Sequence, residues 1–325
     1  MTLLNLANCS TQGNTGGTYC NIEPTYIVYA FAVPVGTVIP ATSLATQAAF
    51  NTYVQTTSLY ANSRTIRWQR SPKLGDFKDN TKEPNMEDID GYMSTTQFLP
   101  YDWQWRFITG QSGASKNLYS TWRAYINGQQ DLYEFLFVDA NNQWLGTNKL
   151  DSTGAQGLGS IGVTNILIPD WAPATTKTAN KYMMRLMLAD NSQLNVSFAG
   201  FASTTQTSTF RPLTDVSIVA GTTTTTSTHI YVSGNIGGNT LGKQFGSTLA
   251  AAAAWAVTDV TGSSTIVPSA VAYDSTNDQY NLTVAATTTG HTITVGIAVP
   301  TVITATPYFL PIVTEGTNVY SYVSP

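Results

Sequence analysis

Charge is what this 325-residue sequence has least of. Only 10% of its residues are Asp, Glu, Lys or Arg, against about 25% in ordinary soluble domains. The balance of 15 basic and 19 acidic residues gives a net charge of −4. There is no basic run or tail, which argues against nucleic acid gripped through its phosphates. DNA passing through an assembly stays compatible, because a mildly acidic wall repels phosphate instead of holding it. Histidine is nearly absent: His229 and His291 are the two. Both fall at alternating strand positions with no carboxylate or cysteine at ligand spacing, so neither reads as a metal ligand or catalytic base. Cysteine is limited to Cys9 and Cys20. A disulfide closing that short loop and a pair of reduced thiols both fit the spacing. Long apolar runs are missing as well. Stretches 26–35 and 249–257 fall far short of the ~18 residues that cross a bilayer as a helix. Leu6-Ala7-Asn8-Cys9 lacks the basic start and apolar stretch of a lipoprotein signal. The expectation is a soluble, unprocessed chain with no membrane contact.

The motifs of common enzymes are also missing. No Walker loop, G-x-S-x-G elbow, H-E-x-x-H pair or dinucleotide fingerprint occurs. Gly234-Asn235-Ile236-Gly237-Gly238 has no lysine or helix signal after it and reads as a turn. One constellation has the residue types for chemistry: Glu83, Glu87, Asp88 and Asp90, followed by Trp103 and Trp105. Paired carboxylates beside indole platforms are what a glycoside hydrolase uses. Lys78 and Lys82 are interleaved nearby, however, which is the pattern of an ordinary solvated surface. The same acids lack the alternating ligand spacing of a calcium loop. The reading is therefore not an enzyme, with no catalytic, cofactor-binding or metal residues assigned and no cofactor.

What the chain does have is neutral polarity and aromatic rings. Thr, Ser, Asn and Gln supply the polar surface, and such groups cost less to bury against a neighbour than charges do. The organising stretch is Tyr92 to Gly146, read as strand, strand, helix, strand, strand. Trp103, Trp105 and Phe107, spaced by two, share one face of a strand. Ser115 to Gly128 reads as a helix, with an apolar stripe of Leu118, Trp122, Tyr125 and Ile126 and a glycine stop. Leu132 to Val138 is a buried strand, and Asp139 to Asn142 turns it into Gln143-Trp144-Leu145-Gly146.

Around this block, residues 1–24 read as an irregular arm and Tyr26 to Val33 as a strand. Ser43 to about Thr57 reads as a helix capped by Ser43, with Leu44, Ala48, Phe50 and Val54 on one side. Arg64 to Arg70 reads as a strand. Lys73 to Asp90 holds the densest charge and reads as a long solvated or subunit-bridging loop. Ser152 to Gly162 reads as a glycine-rich loop and Ile161 to Ile168 as a strand. Lys181 to Leu188 and Leu194 to Phe198 read as a hairpin.

Composition then changes: six of the seven tryptophans lie at or before Trp171, and seven charged residues follow Thr205. Beyond Thr209 come short alternating strands. Tyr280/Leu282/Val284 and Ile293/Val295/Ile297/Val299 each define a buried face, and Trp255 is placed in the core. This is the pattern of an immunoglobulin-type sandwich without its cysteine pair. The expected class is mainly β, a sandwich or barrel with one or two packed helices followed by that second sandwich. The expected boundaries are a β domain over 1–201, a linker over 202–211, the immunoglobulin-like sandwich over 212–305 and a C-terminal extension over 306–325.

This order of parts resembles the major tail (tail tube) proteins of tailed bacteriophages. The likeness is carried by Asp79-Asn80-Thr81-Lys82-Glu83-Pro84-Asn85-Met86-Glu87 running into Gly91 and Asp102-Trp103-Gln104-Trp105, where a charged loop precedes strands of a tube wall. The sandwich from Pro212 to Ala305 is similar to the decorating modules some of these proteins carry. The resemblance implies a virion protein of the tail, made in the bacterial cytoplasm. Its copies would close into rings, hexameric in that family, and stack into a tube. Its partners would be itself and other tail, sheath or baseplate proteins, with DNA passing through unbound. A weak glycan or host-surface contact by the C-terminal module fits the same picture. Two other readings stay open at this point, a capsid or head-decoration protein and a carbohydrate-binding fibre or adhesin.

Overall fold

The computed structural model describes residues 24–59, 61, 65–82, 85–89, 92–97, 100–108, 119, 122–169, 182–190, 198–207, 210, 214–234, 246, 249–298, 311–312 and 319–325. The protein is mainly β, built from antiparallel sheets with few helices. The chain divides into two compact units, Met1–Leu59 with Thr65–Phe210, and Tyr60–Arg64 with Arg211–Pro325.

In the first unit a seven-stranded sheet runs in the order Val38–Ile39, Gln156–Gly159, Gln143–Leu150, Tyr133–Asp139, Ile27–Pro34, Gln69–Arg70. Phe198–Ala202 also pairs with Gln143–Leu150. A second sheet orders Val163–Leu167, Met183–Leu188, Asp102–Phe107 and Leu74–Asp79. Phe135, Leu136, Phe137 and Val138 are all fully buried, which means that the large sheet is covered on both faces. On one side Phe137 meets Trp105 and Trp103 of the second sheet at ring-centroid distances of 5.6 and 6.3 Å. On the other, Phe31 packs on Trp144 at 4.5 Å and Phe50 on Phe201 at 4.5 Å. The Trp103/Trp105/Phe107 face is thus the core-facing side of its strand, as its spacing predicts.

Phe50 comes from the helical layer, which differs from the single helix expected over 43–57. Ala41–Leu44 is followed by a break at Thr46, whose extended backbone lets its side chain accept from Ala49 N at 3.1 Å and cap a second helix, Gln47–Asn51. Thr52–Leu59 then widens into a π-helix. The break and the wider turns move the apolar stripe. Leu44, Phe50, Val54 and Leu59 are buried, whereas Ala48 is exposed.

Other expectations hold or move for definable reasons. Trp122 to Ile126 is helical, with Trp122 and Ile126 buried. Gly128 ends it in the left-handed region at φ 71°, a conformation that costs glycine nothing. Asp139 Oδ1 accepts from Asn141 N and Gln143 N, both at 2.8 Å, and makes the turn that Asp139 to Asn142 predicts. In the glycine-rich stretch, Gln156–Gly159 is a strand. Its glycines allow close approach: a Cβ on Gly146 would lie 2.3 Å from the carbonyl oxygen of Gly159. Of the expected 181–198 hairpin, residues 191–197 lie outside the described residues. Met183–Leu188 pairs with Val163–Leu167 and Asp102–Phe107, while Phe198–Ala202 joins the large sheet.

The 202–211 linker is likewise corrected. Ala202 ends a strand. Gln47 Nε2 donates to Ser203 Oγ at 3.0 Å, and Asn142 Oδ1 accepts from Thr207 N at 2.9 Å. Arg70 Nη1 donates to the carbonyls of Thr207 and Phe210 at 3.2 and 2.8 Å, and the Phe210 ring is fully buried. A stretch rich in Ser and Thr is here a strap fastened by its hydroxyls and carbonyls.

The second unit is a sandwich of immunoglobulin type. One sheet orders Ala270–Asp274, Gln279–Thr283, Ser227–Gly234 and Thr214–Thr223, and the other Ser264–Ile266, Trp255–Asp259, Thr292–Ile297 and Val319–Val323. In chain order this is the A-B-E-D and C-F-G distribution with one extra strand beside C. Trp255 is 4% exposed, and its indole donates to Leu249 O at 2.7 Å. The sheets are cross-linked by Thr228 Oγ1 and Tyr322 OH at 2.8 Å. Val319–Val323, expected in a C-terminal extension, is the last strand of the sandwich. Pro311–Ile312 pairs in parallel with Thr214–Thr223.

Candidate assembly interface

The charged stretch read as a loop over 73–90 is largely strand. Leu74–Asp79 pairs with Asp102–Phe107, with a bulge at Gly75/Lys78 where Asp76 adopts φ 47°. Its far end is closed by Asn80 N donating to Asp102 O at 2.8 Å and Asp102 N to Thr81 Oγ1 at 2.9 Å. Nested inside, Asn85–Ile89 pairs with Tyr92–Gln97, placing Glu87 opposite Ser94 and Asp88 opposite Met93. Among the described strands these two pair only with each other. Backbone pairing of this kind needs no apolar period, so the sequence carries no signal for it.

The hydrolase constellation is not brought together. Trp103 and Trp105 are 3% and 0% exposed and face the core, where no sugar can stack. Glu87 and Asp88 lie on the ribbon strand, and Glu83 and Asp90 fall outside the described residues. So do Cys9, Cys20 and positions 235–238 of the glycine-rich turn. His229 pairs with Asn281 across two strands, and His291 Nδ1 sits 2.8 Å from Asp259 Oδ2. Among the described residues, no three of His, Cys, Asp and Glu converge as a metal group. Among them, too, no helix is long and apolar enough to cross a membrane.

No family model, curated protein or solved structure matches this chain.

The carboxylates that interact strongly act as local clamps. Asp102 takes a two-pronged bond from Arg185, with Nε at 2.7 Å and Nη2 on the second oxygen. That bond holds the guanidinium above its ordinary pKa. The Thr153 hydroxyl and amide, followed by the amides of Ala41 and Ala155, lower Asp151 to about 2. Asp259 is held below the usual carboxylate range first by the Gly262 amide and then by the His291 ring. Each of these groups fixes a turn or a strand pair.

Sheet edges tell more about function. The Val163–Leu167 edge is covered from the helical segment: Gly128 N donates to Ile166 O at 3.0 Å, and Asn127 Oδ1 accepts from Ile168 N at 2.7 Å. Arg123 and Tyr119 donate to the carbonyls of Ile168 and Pro169. Val38–Ile39 and Gln69–Arg70 are two residues long, and Leu74–Asp79 carries a bulge and charges. These are the standard protections against unwanted strand addition. The ribbon is different, because among the described strands both of its strands are edges.

Proposed function

We propose that this chain is a structural brick of the tail-tube kind. Copies associate head to tail into rings, hexameric in the reading adopted here, and the rings stack into a conduit for DNA with the immunoglobulin-type module decorating it. The observation that supports this is the nested ribbon. A two-stranded sheet alone is marginal in water, and its open edges invite completion by a neighbouring copy. A head-to-tail contact of that sort builds rings or filaments. The acids of 83–90, four in eight residues with no basic one among them, give that contact a sign: it meets a basic or neutral surface and weakens as salt rises.

The test is an excision. Residues 83–99 can be replaced by a short glycine link, because Asn80 and Thr81 already bond to Asp102. Removing 74–90 instead would take out a strand of the second sheet. The wild-type chain is expected to give rings or hollow cylinders by negative-stain microscopy, and the excised chain a folded monomer. Cylinders of normal length from the excised chain would falsify the reading. So would a wild-type chain that stays a monomer at high concentration and occurs in no repeating particle.

A further inference from the structure

Asparagine recurs along this chain, but only Asn127 is followed by glycine. That pair is chemically distinct. Glycine has no side chain to hinder its amide, and it visits conformations that other residues avoid. Its nitrogen can therefore reach the side-chain carbonyl carbon of the preceding asparagine. Asn127 and Gly128 close the helical segment 122–126, with Gly128 in the left-handed region at φ 71°. Gly128 is exposed and Asn127 half-buried, so water reaches the pair.

The two groups that would react with each other are engaged elsewhere. Gly128 N donates to Ile166 O at 3.0 Å, and Asn127 Oδ1 accepts from Ile168 N at 2.7 Å. These bonds cover the outer edge of Val163–Leu167, the end strand of the second sheet. Arg123 Nε and Tyr119 OH brace the same run, donating to the carbonyls of Ile168 and Pro169 at 3.2 and 2.6 Å. While the cover is closed, the Gly128 amide is held against the strand and the Asn127 side chain is pinned beside it.

We propose that Asn127 is a deamidation site gated by the strand edge it covers. When the edge opens, the Gly128 nitrogen attacks Cγ of Asn127. The N–Cγ bond forms and the Cγ–Nδ2 bond breaks. Ammonia leaves, carrying the Gly128 amide proton, and a succinimide remains. Water then adds to one of the two ring carbonyls. Cleavage between Cγ and the nitrogen yields aspartate, and cleavage at the backbone carbonyl yields isoaspartate. In the isoaspartate product the main chain runs through the former side chain and is longer by a methylene. Gly128 N and the new carboxylate then no longer match the spacing of Ile166 O and Ile168 N. The reaction thus makes an opening permanent. A strand edge of five residues with its backbone groups freed is a place for another strand to add.

The full chain is incubated warm at mildly alkaline pH in heavy-oxygen water, and the peptide holding Asn127 is followed by mass spectrometry. Uptake of a heavy oxygen marks hydrolysis of the succinimide, and isoaspartyl methyltransferase counts the isomer. The reference is the same chain in urea. The folded chain is expected to convert at least about tenfold more slowly, because two hydrogen bonds must open together and each contributes about fivefold. Arg123→Gln and Tyr119→Phe leave both reactants intact. Each should speed conversion of the folded chain about fivefold and leave the rate in urea unchanged. Hydrogen exchange at the Ile168 amide should rise in the isoaspartate product. Equal rates with and without urea, or no response to either variant, overturn the gate. No conversion at Asn127 in urea removes the site itself. Native exchange at Ile168 in the product overturns the permanence of the opening.

Discussion

The two units solve the same problem, burying a β-sheet, with different side chains. In the first unit the large sheet is covered on both faces, and its strand Tyr133–Asp139 carries an unbroken buried run from Phe135 to Val138. Rings fill both sides: Trp103, Trp105 and Phe137 on one, Phe31, Phe50 and Trp144 on the other. In the second unit buried residues tend to alternate with less buried ones, as in Trp255–Asp259 and the first half of Thr292–Ile297. The core there is mostly Ile, Leu and Val around Trp255 and Tyr280. A middle layer must span two gaps, and large flat rings do so with few residues. A two-layer sandwich has one gap of about 10 Å, which aliphatic side chains fill from both sides.

The comparison can be broken most severely at Trp105. Trp105→Ala should open the first core and cost about 3–5 kcal/mol. Calorimetry is expected to show the first unit's melting fall while the second unit's stays in place. A matched fall in both would mean that the two cores do not melt independently. A smaller effect is expected from Trp255→Phe in the second unit. The ring is largely retained, but Leu249 O loses its donor in a buried place, at a cost of about 1–3 kcal/mol. If that variant melts like wild type, the hydrogen bond contributes nothing and area alone holds the indole.

The smallest effect concerns pH. Burial, and then the hydrogen bond to Asp278, pushes Tyr273 up to about 12 from an ordinary 10.0, and burial raises Tyr280 as well. A raised folded pKa favours the neutral phenol in the native state. Its stabilisation is complete below pH 10.0 and is lost as pH climbs through about 12. Melting of the second unit followed across that window should show the loss, and Tyr273→Phe should lessen it. An unchanged slope in Tyr273→Phe would assign the alkaline loss elsewhere.

How legible all this was depended on which force shaped each element. Strands with one buried face announced themselves: Tyr280/Leu282 and Ile293/Val295/Ile297 are buried where alternation put them. So did the indole row at Trp103 and Trp105, although the acids upstream invited a chemical reading that burial of the rings removes. Elements held by the backbone were hidden. Leu74–Asp79 and Asn85–Ile89 are charged and lack an apolar period, yet both pair along their length. Partner choice was hidden too, since nothing local directs Phe198–Ala202 to Gln143–Leu150 instead of to the strand just before it. The stretch 203–210 has a linker's composition, yet Ser203, Thr207 and Phe210 are fastened in it, because Thr and Ser serve both uses.

That strap has a mechanical consequence. Any tension on the chain beyond Phe210 reaches the guanidinium of Arg70 first, where two carbonyls are gripped at once, and next the Asn142 and Gln47 side chains. These bonds are loaded before strain can peel Phe198–Ala202 from its neighbour. A pull on the chain beyond Phe210 is thus arrested at these side chains, and the sheet behind them keeps its register.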